Sequence, residues 1–285
     1  MCVGDWSSDV CSSDLPGFRA KALTVSYDDG PVFDEHLIDI LGARGIRGTY
    51  NLNSELLGND PWRRLTRERA LALYPATENE VAVHGAKHLT LADVDDGRAM
   101  RELVVDRQNL EAIFGVIIRG SAYANGGAGP REAELIARAG LVYGRTTNAT
   151  HAFDLPKNWL LLQPTCHHGD PRLTELCEAF LNKDLATGYL PALRPQLFYL
   201  WGHSYEFNDN DNWEIIEDFA RRMGEHREIW YATNYEIWRY VDAYKRLVFS
   251  AAEDRVENPT ATDVCILTEE GKYLVPAGET VFLKA

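Results

Sequence analysis

From Lys21 onward the chain alternates short apolar runs with longer amphipathic stretches, and that alternation constrains its fold more than any other feature. Strand-like runs cover residues 22–27, 48–53, 80–84, 116–123, 141–146, 160–166, 196–201 and 229–233. Helical spacing of apolar residues fills 33–44, 62–74, 93–114, 131–139, 171–181, 213–226 and 235–247. Strands separated by helices of this length pair in parallel, because an antiparallel neighbour needs only a hairpin. The expected class is α/β, as a distorted (β/α) barrel of about seven strands, with a doubly wound open sheet as the alternative. Neither a G-x-G-x-x-G pattern nor a phosphate-binding loop follows any run, so no nucleotide fingerprint is present. The α/β unit spans 16–248. Residues 249–285 lose the helical period and read as a small β appendage, with turns at Asn258-Pro259, Glu270-Gly271 and Ala277-Gly278.

Residues 1–15 fit neither pattern. Their tail, D-V-C-S-S-D-L, resembles the translated end of a sequencing-library adapter, so the stretch is expected to be an unstructured artefact and is set aside. Without Asp5, Asp9 and Asp14 the formal charge changes from −14 to −11. Either value argues against a nucleic-acid partner and suits a neutral substrate. Without Cys2 and Cys11 the five cysteines become three, Cys166, Cys177 and Cys265, which make no disulfide framework. No apolar run reaches the ~18 residues of a membrane span. Localisation (cytoplasmic or secreted) and oligomeric state stay open.

In parallel β/α architectures the chemistry gathers at the C-terminal ends of the strands. The first strand ends in Asp28-Asp29, followed by Gly30-Pro31. Two adjacent carboxylates at the end of a buried strand cost free energy, which a turn or a metal ion would each explain. Later strand ends carry His84 and His88, then Tyr123 and Asn125, Arg145, His167 with His168 and Asp170, and finally His203. A carboxylate with two histidines can hold a first-row metal and leave a position open for water. Taken singly each feature has a plainer explanation: H-x-x-x-H as capping residues, Arg145 as a surface ion pair, Trp159, Trp201, Tyr123 and Tyr205 as core.

Together, "TVSYDDG", "HGAKH", "RGSAYANGG" and "LFYLWGHS" resemble the ordered motifs of the NodB-homology polysaccharide deacetylases, carbohydrate esterase family four. The resemblance spans about Lys21 to Leu247. It implies a distorted β/α barrel and a divalent metal, zinc or another first-row ion such as cobalt, held by Asp29, His84 and His88. It also implies Asp28 as general base and His203 as general acid. Two departures stand out. Gly85 replaces a Ser/Thr, and Ala122 stands where an arginine that orients the base is common. Arg145 is the favoured substitute, with Arg119 the other candidate. Asp170 and Trp159 lie where an Asp-Trp pair supports that arginine. Tyr123, Asn125 and His167 are candidate oxyanion or substrate contacts. The implied activity is hydrolytic removal of acetyl groups from an N- or O-acetylated polysaccharide or oligosaccharide. A hydrolase of a small amide or cyclic imide, and an inactive carbohydrate-binding barrel, are the alternatives.

Overall fold

The computed structural model describes residues 11–60, 63–183, 195–268 and 271–283. The strands are β1 (Cys11–Asp14), β2 (Lys21–Asp28), β3 (Gly48–Leu52), β4 (Glu80–Val83), β5 (Gly120–Ala122), β6 (Tyr143–Arg145), β7 (Cys166–His167), β8 (Gln196–Gly202), β9 (Ile229–Tyr231), β10 (Val248–Phe249), β11 (Arg255–Glu257), β12 (Val264–Thr268), β13 (Gly271–Val275) and β14 (Thr280–Phe282). The helices are α1 (Asp34–Gly42), α2 (Arg67–Leu73), α3 (Asp96–Phe114), α4 (Pro130–Arg138), α5 (Leu173–Asn182), α6 (Ser204–Asp209), α7 (Glu214–Met223) and α8 (Asn234–Lys245). Trp62, the expected start of the second helix, lies outside the described residues.

Strands β2 to β9 form one parallel sheet in the order β6-β5-β4-β3-β2-β8-β7, with β9 paired to the first half of β2. This is the curled β/α sheet expected from the alternation. Its central strand is buried along its whole length. Leu23, Val25 and Tyr27 join a core with Leu37, Ile38 and Leu41 of α1 and Phe219 and Met223 of α7. Ala22, on the opposite face, joins a second core with Leu197, Tyr199, Ile237 and Val241. A strand buried on both faces reads as a continuous apolar run, which is why this segment shows no alternation.

The sixth expected strand is mostly absent. Residues 159–161 form a short 3-10 turn and only Cys166–His167 pairs as a strand. The segment still spans the gap between the sheet edges. Leu162 donates to the Gly144 carbonyl and Thr165 to the Tyr199 carbonyl. These bonds satisfy edge backbone groups without a regular ladder.

The C-terminal segment folds as two antiparallel sheets, β10-β11-β14 and β1-β12-β13. Val256, Val264, Ile266 and Val275 pack beside Ile237, Tyr240 and Val241 of α8, together with Ala22 and Leu197 near the strands' N-terminal ends. One expectation is corrected here. Residues 11–14, read from sequence as unstructured, pair with Thr268 to Cys265, and Leu15 is fully buried. The open edge of β12 accepts any extended backbone, so pairing there needs no sequence period. Residues 1–10 lie outside the described residues.

Candidate active site

Asp28 is the last residue of β2 and is 2 % exposed. Its carboxylate meets Arg145, the last residue of β6, through both oxygens. The Asn51 amide donates to Oδ1 at 2.8 Å. On Oδ2 the nearest imidazoles are His84 Nε2 at 3.7 Å and His203 Nε2 at 3.8 Å. Burial alone would raise its pKa, but the Arg145 charge outweighs it, with help from His84 and His203, and holds it at about 2. Asp28 is therefore an anion throughout the working range.

Arg145 is itself fully buried, with its guanidinium 4.4 Å from the centre of the Trp201 ring. In the β5–β6 pairing Ala122 is the direct partner of Arg145. Arg145 thus stands one strand over from the place of the missing third-motif arginine, at the same level. Arg119 precedes β5 and lies at the opposite end of the strand. The Asp-Trp support is not formed by the residues expected. Asp170 pairs with His151 at 2.6 Å, and Trp159 packs in the second core. Trp201 takes the aromatic part.

Asp29, His84 and His88 place one potential ligand atom each within 4.8 Å of one another. Asp29 has φ +78°, which turns its side chain out of the strand. Its Oδ1 is buried and accepts no hydrogen bond, while His88 Nε2 stands 3.6 Å away. His84 Nδ1 lies 3.0 Å from the Ala122 carbonyl, so this nitrogen carries the proton and Nε2 keeps its lone pair. Burial also lowers the His84 pKa, which favours the neutral ring. An orphaned carboxylate oxygen and an imidazole with its lone pair turned inward fit a divalent cation, and the backbone carbonyl on Nδ1 is a usual outer partner of a metal-bound histidine.

The loop carrying His88 is built around Glu102 of α3, whose Oε1 accepts from Lys87 N at 2.6 Å and Leu89 N at 3.1 Å. Asn53 donates to the carbonyls of His84 and Gly85. Asp106, also on α3, accepts from the backbone of His84 and Ser54. Gly85 sits at φ +83°, and a Cβ there would meet Glu102 Oε1 at 3.0 Å. The glycine in place of Ser/Thr follows from that crowding.

A second cluster lies beside the first. Glu206 of α6 meets three imidazoles: His203 Nδ1 at 3.1 Å, His167 Nε2 at 3.1 Å and His168 Nε2 at 2.8 Å. His167, His203 and Glu206 also bring one ligand atom each within 4.8 Å of one another. Their protons argue otherwise. Gly169 N–H donates to His167 Nδ1, so Nε2–H points at Glu206. The three histidines hold the Glu206 carboxyl far below its ordinary range despite partial burial. His203 is raised above its ordinary 6.5, because Glu206 and Asp28 together outweigh the lowering by burial. Burial lowers His168 to about 4.

Of the remaining candidates, Tyr123 is buried with its hydroxyl on the Leu160 carbonyl, so its ring is not a sugar-stacking face. Trp201 is only 9 % exposed beneath Arg145. Asn125 follows β5 and donates to Thr90 at 2.9 Å, next to the His88 loop. Tyr205 remains partly exposed beside His203. Sequence reading missed Glu206, which lies three residues after His203 and so one helical turn away. It also missed Glu102 and Asp106, whose spacing on α3 is simply helical. A cavity of about 650 Å³ lies elsewhere, against Asp154, Leu155, Leu197 and Tyr199.

Residues 17–144 match the model of the polysaccharide deacetylase family. The fold is similar to that of a Mycobacterium smegmatis protein provisionally assigned as a polysaccharide deacetylase, at 16% identity over 81% of this chain and 93% of that one, TM-score 0.58. It is also similar to peptidoglycan deacetylase PdaC from Bacillus subtilis, at 15% identity over 79% of this chain and 93% of that one, TM-score 0.50. PuuE allantoinase shares the fold at 15% identity, TM-score 0.57, over 79% of this chain and 91% of that one. No curated protein matches in sequence.

Proposed function

We propose that this chain, whose residues 17–144 match the polysaccharide deacetylase family, is a metal-dependent hydrolase that removes acetyl groups from an N-acetylated, or O-acetylated, carbohydrate. One observation carries the reading: Asp28 Oδ2 stands between His84, at 3.7 Å on the ligand side, and His203, at 3.8 Å on the acid side. Asp29, His84 and His88 would hold the ion, zinc or another first-row cation. Such an ion, when bound, polarises the acyl carbonyl and acidifies a water.

Asp28 accepts the water's proton as the new C–O bond forms. Its basicity is held low by Arg145, so its strength as a base comes from position and permanent ionisation. His203 is kept protonated by Glu206 and Asp28, and donates its Nε2 proton to the departing nitrogen or oxygen as the acyl bond breaks. Acetate and a free amine or hydroxyl result. The loop around Asn125, at the end of β5, is the proposed backbone donor to the developing oxyanion.

Arg145 on Asp28 supports this reading over a small amide or cyclic imide, because the base-orienting arginine that Ala122 lacks has a counterpart here. The test is acetate release from chitooligosaccharide, peptidoglycan and acetylxylan, alongside ring opening of a small cyclic imide, each assayed with metal-loaded protein. Acetate from at least one carbohydrate and no turnover of the imide is expected. Turnover of the imide alone overturns the proposal.

A further inference from the structure

Arg64 lies outside every motif that the sequence singled out, yet the turn after Asp28-Asp29 is built around it. Residues 63–65 run antiparallel to that turn, with Val32 N on the Arg63 carbonyl and Leu65 N on the Gly30 carbonyl. This pairing sets the Arg64 side chain beside Asp29. Nη1 donates to the Asp29 carbonyl and, at 3.3 Å, to Asn53 Oδ1. Nη2 stands 3.6 Å from Asp29 Oδ1, too far for a hydrogen bond. That oxygen is the unpartnered one that faces His88. The Arg64 side chain is a quarter exposed.

A cation this close to a candidate metal ligand shares the Asp29 carboxylate with any bound metal ion, so with both present the positive charge beside Asp29 exceeds what that one carboxylate offsets and favours a further anion. The reaction supplies one, because hydrolysis of a neutral amide or ester ends in a carboxylate formed at that spot. A planar guanidinium with donors left over is the side chain best matched to a carboxylate. We propose that Arg64 is a substrate-contacting residue of this site: its Nη2 edge binds the carboxylate of the released acyl group, while its Nη1 edge pins the Asp29 carbonyl. The inference rests on the deacetylase reading.

The test is calorimetric titration of sodium acetate into the zinc-loaded full chain, with metal content measured on the same samples. Wild type, Arg64→Gln and Arg64→Lys are compared. Expected is a metal-loaded Arg64→Gln that binds acetate about 10–100-fold more weakly, the range for losing a hydrogen bond to a charged group. Arg64→Lys, which keeps the charge, falls between the two. Unchanged acetate affinity in metal-loaded Arg64→Gln overturns the proposal and leaves the deacetylase reading standing. So does wild type that holds metal but binds no acetate. Loss of metal in both variants also overturns it, leaving Arg64 only the pin on Asp29. Failure of wild type to take up metal overturns the metal-dependent reading itself and this inference with it.

Discussion

Two neighbouring clusters in this molecule have almost the same composition and opposite proton inventories. Asp29, His84 and His88 turn an unbonded oxygen and a lone pair toward one another. His167, His203 and Glu206 meet within the same distance limit, but the imidazoles spend their N–H groups on a single carboxylate. Distance alone cannot tell them apart. The outer partner on each ring decides: the Ala122 carbonyl takes the His84 Nδ1 proton, whereas the Gly169 N–H forces the His167 proton onto Nε2. The first arrangement invites a cation. The second holds protons, as the acid half of the proposed reaction requires.

The largest effect that sharpens this contrast is metal loss. Asp29→Ala, His84→Ala and His88→Ala should each weaken metal binding by far more than the ~10–100-fold typical of outer-partner changes. His167→Ala and Glu206→Gln should keep the metal. Metal analysis after gel filtration checks both arms, and metal loss from Glu206→Gln with retention in His88→Ala would reverse the assignment of the clusters.

Next comes Asp28→Asn, which touches both clusters and belongs to neither. It should retain metal and lose about 10²–10⁴-fold in turnover, the usual contribution of a general base. Full turnover would remove Asp28 from the mechanism.

A smaller change tests the proton-holding role directly. Activity should fall as pH rises through the His203 pKa, which lies above 6.5, because the acid is lost. Asp28, held at about 2, stays ionised through the acid range and contributes no limb near neutral pH. In Glu206→Gln the carboxylate that favours imidazolium is gone, so the alkaline limb should move to lower pH. A limb that stays in place detaches Glu206 from His203.

The smallest expected effect is on stability. Gly85→Ser restores the commoner motif residue but forces a side chain into φ +83° against Glu102. It should cost about 1–3 kcal/mol in denaturant unfolding. A neutral or stabilising result would show that the His88 loop is freer than its contacts imply.

Chain order carried much of this protein. The β/α alternation is local, since period and length are properties of neighbouring residues, and the parallel sheet followed from it. The doubled aspartate, the His84–His88 spacing and the strand-end histidine were likewise legible, because each sits at a strand terminus that sequence can locate. Tertiary structure decided what depends on sheet order and on side-chain protons. Arg145 stands level with Ala122 because β5 and β6 put them side by side, 23 positions apart in sequence but paired in register. Arg64 reaches Asp29 because a loop folds back on the turn, and Glu206 gathers three histidines from two strand ends. Those contacts join residues with no fixed spacing. Hydrogen-bond partners, which separate a ligand from a proton donor, exist only once the chain has closed around them.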